Sequence, residues 1–356
     1  MKMMENRSIA KFQKKMELDA VRLVANYLVV AIHIMILSGG ALYAGLEYSF
    51  WNWISQSFAP IAMPTLFFIS GYLFYVSKEV YVNKIRHRVG RLLIPYVSWN
   101  LIIGLLFVLF CIFGLYNASS FQFSSIKEIF TWIVRKSLSL WHAPANMPTW
   151  YIRTIFVYAI LGPVWCWFYR GRYWVIRLII LSVGISVFEF WLQETGHMID
   201  FIYTYPPYSL LCFVLGGGLA VTGIGIEWLY GKKRLFLGII GVIALIVDIT
   251  ITCPLGLACW VKLFMVFILF AVAPELTKIY CWLPEVVRIS GFWLYVTHLP
   301  IFMMLSSLLG KISFSSLTLQ LCIGVVLMLM ISIGSFVFIG KILPGVLKCL
   351  NGQQKI

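Results

Sequence analysis

Runs of about 20 mostly apolar residues recur along almost the whole chain, and no other feature restricts its fold as strongly. A helix of about that length spans the hydrocarbon core of a bilayer, where every backbone polar group must be bonded within the protein. Of the 356 residues, 61% are hydrophobic and 12% are charged, which is about half the charged fraction of a typical soluble domain. The sequence therefore predicts an all-α, polytopic membrane helix bundle. We expect about ten transmembrane helices, at 20–42, 54–76, 93–115, 150–169, 174–192, 207–229, 235–252, 255–274, 289–309 and 316–340.

The distribution of basic residues predicts the orientation of this bundle. With an even number of spans both termini lie on one side, and 22 of the 28 Lys and Arg residues fall on that side. Because cytoplasmic loops are enriched in Lys and Arg, we expect both termini in the cytoplasm and attribute the net charge of +15 to topology, not to nucleic-acid binding. No cleavable signal peptide is expected, since the first apolar run is too long. The chain is predicted to form one membrane domain, 1–356, with 1–17 and 342–356 as cytoplasmic ends.

Two ionisable residues of the first apolar segment, Arg22 and His33, give the strongest indication of function from the residues alone. Their spacing of eleven residues makes about three helical turns, so both side chains share one face, about 16 Å apart along the axis. Asp19 and Asn26 lie close to the same face. Ionisable side chains at membrane depth are costly and usually functional, which favours a polar site on this stripe. The alternative is a histidine that only hydrogen-bonds a neighbouring helix.

Five short segments carry a more specific pattern. They are Leu18-Asp19-x-x-Arg22 with His33, Phe67-Phe68-Ile69-Ser70-Gly71-Tyr72-Leu73, the basic run from Lys84 to Pro95, Trp150-Tyr151-Ile152, and the stretch from Ser290 to His298. In this order they resemble the acyltransferase 3 family, integral-membrane enzymes that move acyl groups from cytoplasmic acyl-CoA onto extracytoplasmic glycans. The chain departs from the family in one motif, because Pro148-Thr149-Trp150 stands where the family usually has His-Leu-Trp.

The resemblance implies an enzyme of the cytoplasmic (inner) membrane, an acyltransferase of the stand-alone type that transfers groups other than aminoacyl groups. Its donor would be acetyl-CoA or another acyl-CoA, and its acceptor a surface glycan or a lipid-linked sugar. His33 would act as the general base, because a neutral imidazole titrates near physiological pH. Arg22, Asn26 and Asp19 would complete the catalytic set. No metal site is expected.

The donor would be held by the basic loop after the second span. On a helix, Lys84, Arg88 and Arg91 share one face, and together with Arg86 they suit the phosphates of coenzyme A. The alternative is ordinary anchoring to anionic lipid headgroups. Ser70 would line the path of the acyl chain, although the Ser70-Gly71 pair also suits helix packing.

The acceptor would meet aromatic and imidazole side chains on the outer side. Trp150 and Tyr151 suit stacking on a sugar, His142 is a candidate for the role of the missing family histidine, and His298 is expected level with His33. Each has a plainer alternative: aromatic residues are common at membrane interfaces, and His298 is as easily a structural residue.

Three further charges, Glu189, Asp248 and Lys262, are predicted at equal depth in the outer half of the bundle. An ion pair that joins helices is the favoured interpretation, with acceptor binding as the alternative. For the whole chain, the main alternative function is a transporter or flippase for a polysaccharide or a lipid-linked sugar, since buried charges also suit a permease. The expected partners are acyl-CoA, the glycan acceptor and membrane lipids.

Overall fold

The computed structural model describes residues 2–38, 45–112, 125–138, 142–195, 206–223, 232–250 and 255–352, with side chains for all of these except 2–14, 189, 192–193, 232 and 255–258. Helices make up 87% of the structure, and the described residues include no β-strand. The predicted all-α class is therefore confirmed. The described helices pack around a core of large apolar side chains, and Phe67, Phe68, Phe213 and Trp293 are almost completely buried.

The first half of the chain forms nine α-helices in the described ranges. They are α1 (Lys2–Ile32), α2 (Leu46–Trp53), α3 (Ala62–Val76), α4 (Tyr81–Arg88), α5 (Ile94–Ile112), α6 (Ile126–Leu138), α7 (Trp150–Ile160), α8 (Gly162–Phe168) and α9 (Trp174–Glu194). Short 3₁₀ segments occur at Ile34–Ser38, Ala59–Ile61 and Met147–Thr149, and π-helical segments at Ile54–Phe58 and Val89–Leu93.

In the second half of the chain, the described ranges form eight more. They are α10 (Pro207–Val221), α11 (Lys232–Thr250), α12 (Leu255–Ala271), α13 (Ala273–Trp282), α14 (Glu285–Ile289), α15 (Gly291–Leu309), α16 (Leu317–Ile342) and α17 (Pro344–Leu350).

Five to seven stretches of the described chain are long and apolar enough to cross a membrane. The five continuous ones are Lys15–Ser38, Leu46–Val76, Tyr81–Ile112, Gly291–Leu309 and Leu317–Ile342. Two bent pairs of helices, α7 with α8 and α12 with α13, bring the number to seven if each pair is one span. The other predicted segments coincide with α9, α10 and α11. The count of ten spans and the cytoplasmic position of both termini remain predictions.

Prolines explain why two predicted spans are bent. Pro163 is the second residue of α8 and Pro274 the second residue of α13, and the chain turns by 62° and 54° at these junctions. Proline lacks an N–H and its ring clashes with the carbonyl four residues earlier, so the preceding helix ends there. At the first bend the Tyr81 hydroxyl donates to the carbonyl of Ile160 (2.5 Å), which satisfies an acceptor freed at the end of α7.

Helices α3 and α10 approach each other closely, and glycines make this contact possible. A Cβ atom at Gly71 would lie 2.0 Å from the carbonyl oxygen of Phe213, and one at Gly216 would lie 2.1 Å from the carbonyl oxygen of Phe68. The two backbones therefore touch directly, as small residues allow in membrane bundles. Of the predicted Ser70-Gly71 pair, the glycine has the packing role.

We expect Gly71→Ala and Gly216→Ala to reduce the yield of folded protein severely, because the added methyl group meets backbone atoms that cannot rotate away. Overpacking of this kind costs about 1–3 kcal/mol or more. Thermal unfolding in detergent, followed by size-exclusion chromatography, measures the effect. Gly184→Ala is the matched control, since a Cβ there has no neighbour within 4 Å. Equal stability of all three variants would contradict the close contact.

Candidate active site

His33 lies at a break in the first helix. The α-helix ends at Ile32, and the chain continues as the 3₁₀ segment Ile34–Ser38. Because the N–H of Ile36 bonds the carbonyl of His33, the carbonyl of Ile32 loses its helical partner and accepts instead from the hydroxyl of Ser55 (2.6 Å). Changes from α to 3₁₀ geometry inside a helix often mark functional positions. The half-buried His33 side chain therefore projects from a break that another helix stabilises.

The ring of His298 on α15 packs against His33, with 5.4 Å between ring centres and 31° between ring planes. His298 is completely buried (0% exposed). Its Nδ1 lies 2.7 Å from the carbonyl oxygen of Tyr295. A carbonyl only accepts, so Nδ1 carries the proton and Nε2 carries the lone pair in the neutral ring. Nε2 is buried and has no hydrogen-bond partner among the described residues. The sequence placed His298 level with His33, and the structure brings the two together.

Of the predicted polar stripe of α1, Asn26 faces the same helix, α15, as His33. Arg22 and Asp19 form an ion pair at 3.4 Å, with 45% and 31% of their side chains exposed. The Asn26 amide packs against the start of α15, since a Cβ at Gly291 would approach its Nδ2 to 3.3 Å. An ion pair this exposed contributes little to stability, so Arg22 can exchange Asp19 for an anionic ligand at small cost.

Tyr151 and Ser70 meet in a chain of hydrogen bonds. The Tyr151 hydroxyl donates to the carbonyl of Leu66 (3.1 Å), so the Ser70 hydroxyl, 2.7 Å away, is the group that donates to Tyr151. The ring of Tyr151 lies 6.0 Å from that of Tyr295. The sequence assigned Ser70 to the donor path and Tyr151, with Trp150, to a separate outer opening. The structure brings Tyr151 into contact with Ser70, because its hydroxyl turns inward onto α3, and the role of Tyr151 in acceptor binding stays a prediction.

A basic pocket of about 120 Å³ lies where α4 folds back on the end of α3. It is lined by Leu73, Phe74, Ser77, Glu79, Lys84, His87, Arg88 and Arg91. The Lys84 ammonium donates to the carbonyl of Phe74 (3.0 Å), and the Arg88 guanidinium lies 5.3 Å from the centre of the Phe74 ring. The predicted basic face of Lys84, Arg88 and Arg91 therefore exists. Arg86 is exposed and does not line the pocket, because it points to the opposite side of α4.

Electrostatics connect this pocket to the stripe of α1. Both Arg88 and Arg22 lie within electrostatic reach of the Tyr151 hydroxyl. The basic loop and the Arg22 end of α1 therefore both act on the Tyr151 hydroxyl, which contacts Ser70.

Arg288, on α14, is a basic residue of this region that the sequence did not single out. Its guanidinium lies 5.4 Å from the ring centre of Tyr280, and Tyr280 is also within electrostatic reach of Asp19 and Arg22. The Nε atom of Arg288 is buried without a hydrogen-bond partner among the described residues. Its position directly before the Ser290–His298 motif is the sequence feature that could have indicated a place in this region.

The segment before α7 contacts α15 through residues other than His142, which was its candidate site residue in the sequence. Asn146 and Thr149 are buried, at 1% and 0% exposure, at the start and the end of the short 3₁₀ turn that precedes α7. The backbone N–H of Asn146 bonds the side-chain oxygen of Asn100 (2.8 Å), and the Tyr295 hydroxyl donates to the carbonyl of Pro148. Irregular backbone is tolerated at membrane depth only where the protein satisfies it in this way.

A proline in α15 determines where this segment binds. Pro300 has no N–H, so the carbonyl of Val296 lacks its usual helical partner. The side-chain amide of Asn146 donates to that same carbonyl (2.8 Å). The Oδ1 atom of Asn146 is then left buried without a partner among the described residues. A proline four residues after a carbonyl in a span was the sequence signal for this contact.

We expect the effects of Asn146→Ala and Pro300→Ala on stability to be non-additive. Asn146→Ala alone strands the carbonyl of Val296, which costs about 1–3 kcal/mol for a buried unpaired group. Pro300→Ala supplies an N–H to that carbonyl, so the asparagine change costs less in its presence. Thermal unfolding of the four proteins in detergent gives the coupling energy. Equal costs in both backgrounds would contradict the assignment.

The residues that contact His142 differ from those around the His33–His298 pair. Its exposed ring contacts Arg135, with His142 Nε2 and Arg135 Nη2 2.5 Å apart, and its carbonyl accepts from the buried Arg153 (2.7 Å). His298, and not His142, is the histidine that the structure places next to His33.

The predicted ion pair in the bundle exists between Lys262 and Asp248, whose side-chain atoms lie 2.5 Å apart and join α12 to α11. The side chain of Glu189 is outside the described residues. Within the part of the chain that the structure describes, no three His, Cys, Asp or Glu side chains come together as a metal site would require.

Fold and site together define a class of protein: a multi-pass membrane helix bundle with a histidine pair in its core and a basic pocket close by. Residues 16–337, nearly the whole chain, match a family model described as an acyltransferase domain. The chain therefore belongs to the acyltransferase 3 family, as the five sequence segments indicated, and is a membrane acyltransferase by family. No curated protein and no solved structure matches it significantly.

Proposed function

We propose that this chain is a membrane O-acyltransferase, with acetyl-CoA as the first donor to test. It moves an acyl group from cytoplasmic acyl-CoA to a hydroxyl group of an extracytoplasmic or lipid-linked glycan. The observation that carries the proposal is the set of contacts around Tyr151. Its hydroxyl lies within electrostatic reach of Arg22 and of Arg88 in the basic pocket, and its ring reaches the His33–His298 pair through the ring of Tyr295. A pocket for phosphates that is connected in this way to a half-buried imidazole suits transfer from a coenzyme A thioester.

The donor binds through its phosphates to the basic pocket. Lys84, Arg88 and Arg91 supply three positive charges, and guanidinium groups bind phosphate oxygens in a bidentate manner. Phe74 holds Lys84 and Arg88 in place by packing, which lowers the entropy lost on binding. The acyl end then extends past Ser70 and Tyr151 toward His33, with Arg22 available to the thioester carbonyl.

His33 acts as the general base in this mechanism. It removes the proton of the acceptor hydroxyl, whose oxygen attacks the thioester carbonyl carbon, and the C–S bond breaks. The thiolate then takes the proton back from His33, so the products are an ester and coenzyme A. Asn26, which shares one helix face with Arg22 and His33, orients the substrates. Trp150 contacts the acceptor glycan.

The membrane arrangement follows from the charges. With both termini and the basic loop in the cytoplasm of a cell with an inner membrane, the donor enters from the side where acyl-CoA is made. The acceptor approaches from the opposite side, and neither substrate crosses.

The direct test uses membranes that contain the protein, radiolabelled acetyl-CoA and candidate surface glycans. We expect alkali-labile label on the glycan and one released thiol for each ester formed, above the level of membranes without the protein. A glycan that crosses the membrane without gaining an ester would instead support the transporter or flippase.

A further inference from the structure

The two histidines of the core differ in how far they are enclosed. His298 is completely buried, whereas His33 is half-buried at the break after α1. Of the two rings, His33 is therefore the one that a substrate can contact, whereas His298 is enclosed. This order resembles the relation of a catalytic base to the residue that orients it.

The hydrogen bond at Nδ1 of His298 determines whether Nε2 can donate to or accept from His33. Nδ1 donates to the carbonyl of Tyr295, so a neutral His298 can only accept at Nε2. That atom is buried with no donor among the described residues. Leaving such a group unpaired costs about 1–3 kcal/mol, and buried polar atoms without partners are rare enough to require an explanation.

The separation of the rings fits a direct bond between them. An N–H···N bond of about 2.9 Å between two imidazoles places their ring centres about 5 Å apart. The observed separation is 5.4 Å. The two rings are therefore close enough for a direct bond when an N–H group of His33 points at Nε2 of His298.

We propose that His298 is a positioning residue for His33, an inference that rests on the proposed acyl transfer. Nε2 of His298 accepts the N–H of one His33 nitrogen, which leaves the lone pair of the other nitrogen for the acceptor hydroxyl. The donor and acceptor of each hydrogen bond in this row are then determined. The Tyr295 carbonyl accepts from His298, His298 accepts from His33, and His33 accepts the hydroxyl proton.

The proton balance assigns separate tasks to the two rings. The hydroxyl proton moves to His33 when the ester bond forms, and returns to the thiolate when the C–S bond has broken. His298 keeps its Nδ1 proton throughout. Its bond from His33 strengthens while His33 is positively charged, because charge-assisted hydrogen bonds are the stronger ones. A neutral imidazole gives this support without a second buried charge, which is costly at membrane depth.

Two substitutions separate this role from a structural one. In His298→Asn, the side-chain NH₂ lies where Nδ1 was and keeps the bond to the Tyr295 carbonyl, but nothing remains at Nε2. In His298→Gln, the longer amide brings an oxygen close to the Nε2 position, where it can accept from His33. A positioning role predicts that Gln is the better substitute, and a structural anchor predicts Asn.

In the acetyl-transfer assay we expect His298→Asn to lower kcat about 100-fold with an unchanged KM for acetyl-CoA, and His298→Gln to remain within about tenfold of the natural protein. The opposite order would overturn the proposal and leave His298 as an anchor. Near-normal activity of both variants, or loss of activity in both as folded proteins, would overturn it as well.

A readout without acyl transfer keeps this test separate from the proposed function. Diethyl pyrocarbonate modifies an unprotonated imidazole nitrogen, and mass spectrometry measures its rate at His33 in the full-length protein. We expect a several-fold slower reaction of His33 in His298→Asn than in the natural protein or in His298→Gln. Equal rates in all three would overturn the pairing even if acetyl transfer occurs. If the rates follow the expected order but the protein transfers no acetyl group, the pairing of the two histidines is supported and the proposed reaction is rejected.

Discussion

His33→Ala is expected to lower acetyl transfer about 10²–10⁴-fold, the usual range for loss of a general base. The physical reason is the position of the ring, half-buried at a helix break and packed against His298. The rate of label transfer from acetyl-CoA to the glycan measures the effect, and thermal unfolding in detergent shows whether the variant is folded.

His33→Gln is the control for packing. Glutamine fills a similar volume and keeps hydrogen bonds, but it is not a base. We expect it to be as inactive as the alanine variant and at least as stable. Turnover close to that of the natural protein in either variant would remove His33 from the chemistry and leave it as a packing residue.

The second large effect is expected at the basic pocket. Replacing Lys84, Arg88 and Arg91 together with Gln should weaken the binding of acetyl-CoA by at least about 100-fold, since each hydrogen bond to a charged group contributes about 1.5–3 kcal/mol. The remaining affinity should depend less on salt, because screened phosphate contacts have been lost. Equilibrium binding of acetyl-CoA at several salt concentrations measures both effects.

Two controls make this result specific. The triple variant of Arg170, Arg172 and Arg177 to Gln removes the same charge from the segment after α8 and the first turn of α9, and it should leave the affinity unchanged. Arg86→Gln, outside the pocket, should have a smaller effect than Arg88→Gln. If both triple variants weaken binding equally, the basic loop serves to anchor the protein at the lipid surface.

The sequence predicted the helical class and the main polar residues because both depend on local pattern. An apolar run of membrane length has few alternatives to a helix, and the spacing of Arg22 and His33 places them on one face whatever surrounds them. The depth of His298 could be estimated from the start of its helix, which is why its position next to His33 could be anticipated.

Features that depend on contacts between distant segments could not be predicted in the same way. Pro163 and Pro274 can be seen in the sequence, but the angles at which the helices bend there depend on packing. The inward turn of Tyr151 depends on Ser70, 81 residues earlier in the chain. The role of Asn146 depends on a carbonyl freed by Pro300 on another helix.

The sided transfer of an acetyl group is the central claim, and membrane vesicles of known orientation test it most directly. Inverted vesicles, with the cytoplasmic face outward, are loaded with glycan and given radiolabelled acetyl-CoA from outside, while right-side-out vesicles receive the same treatment. We predict alkali-labile label on the enclosed glycan in inverted vesicles only. Equal labelling in both orientations, or export of unmodified glycan without labelling, would contradict the account.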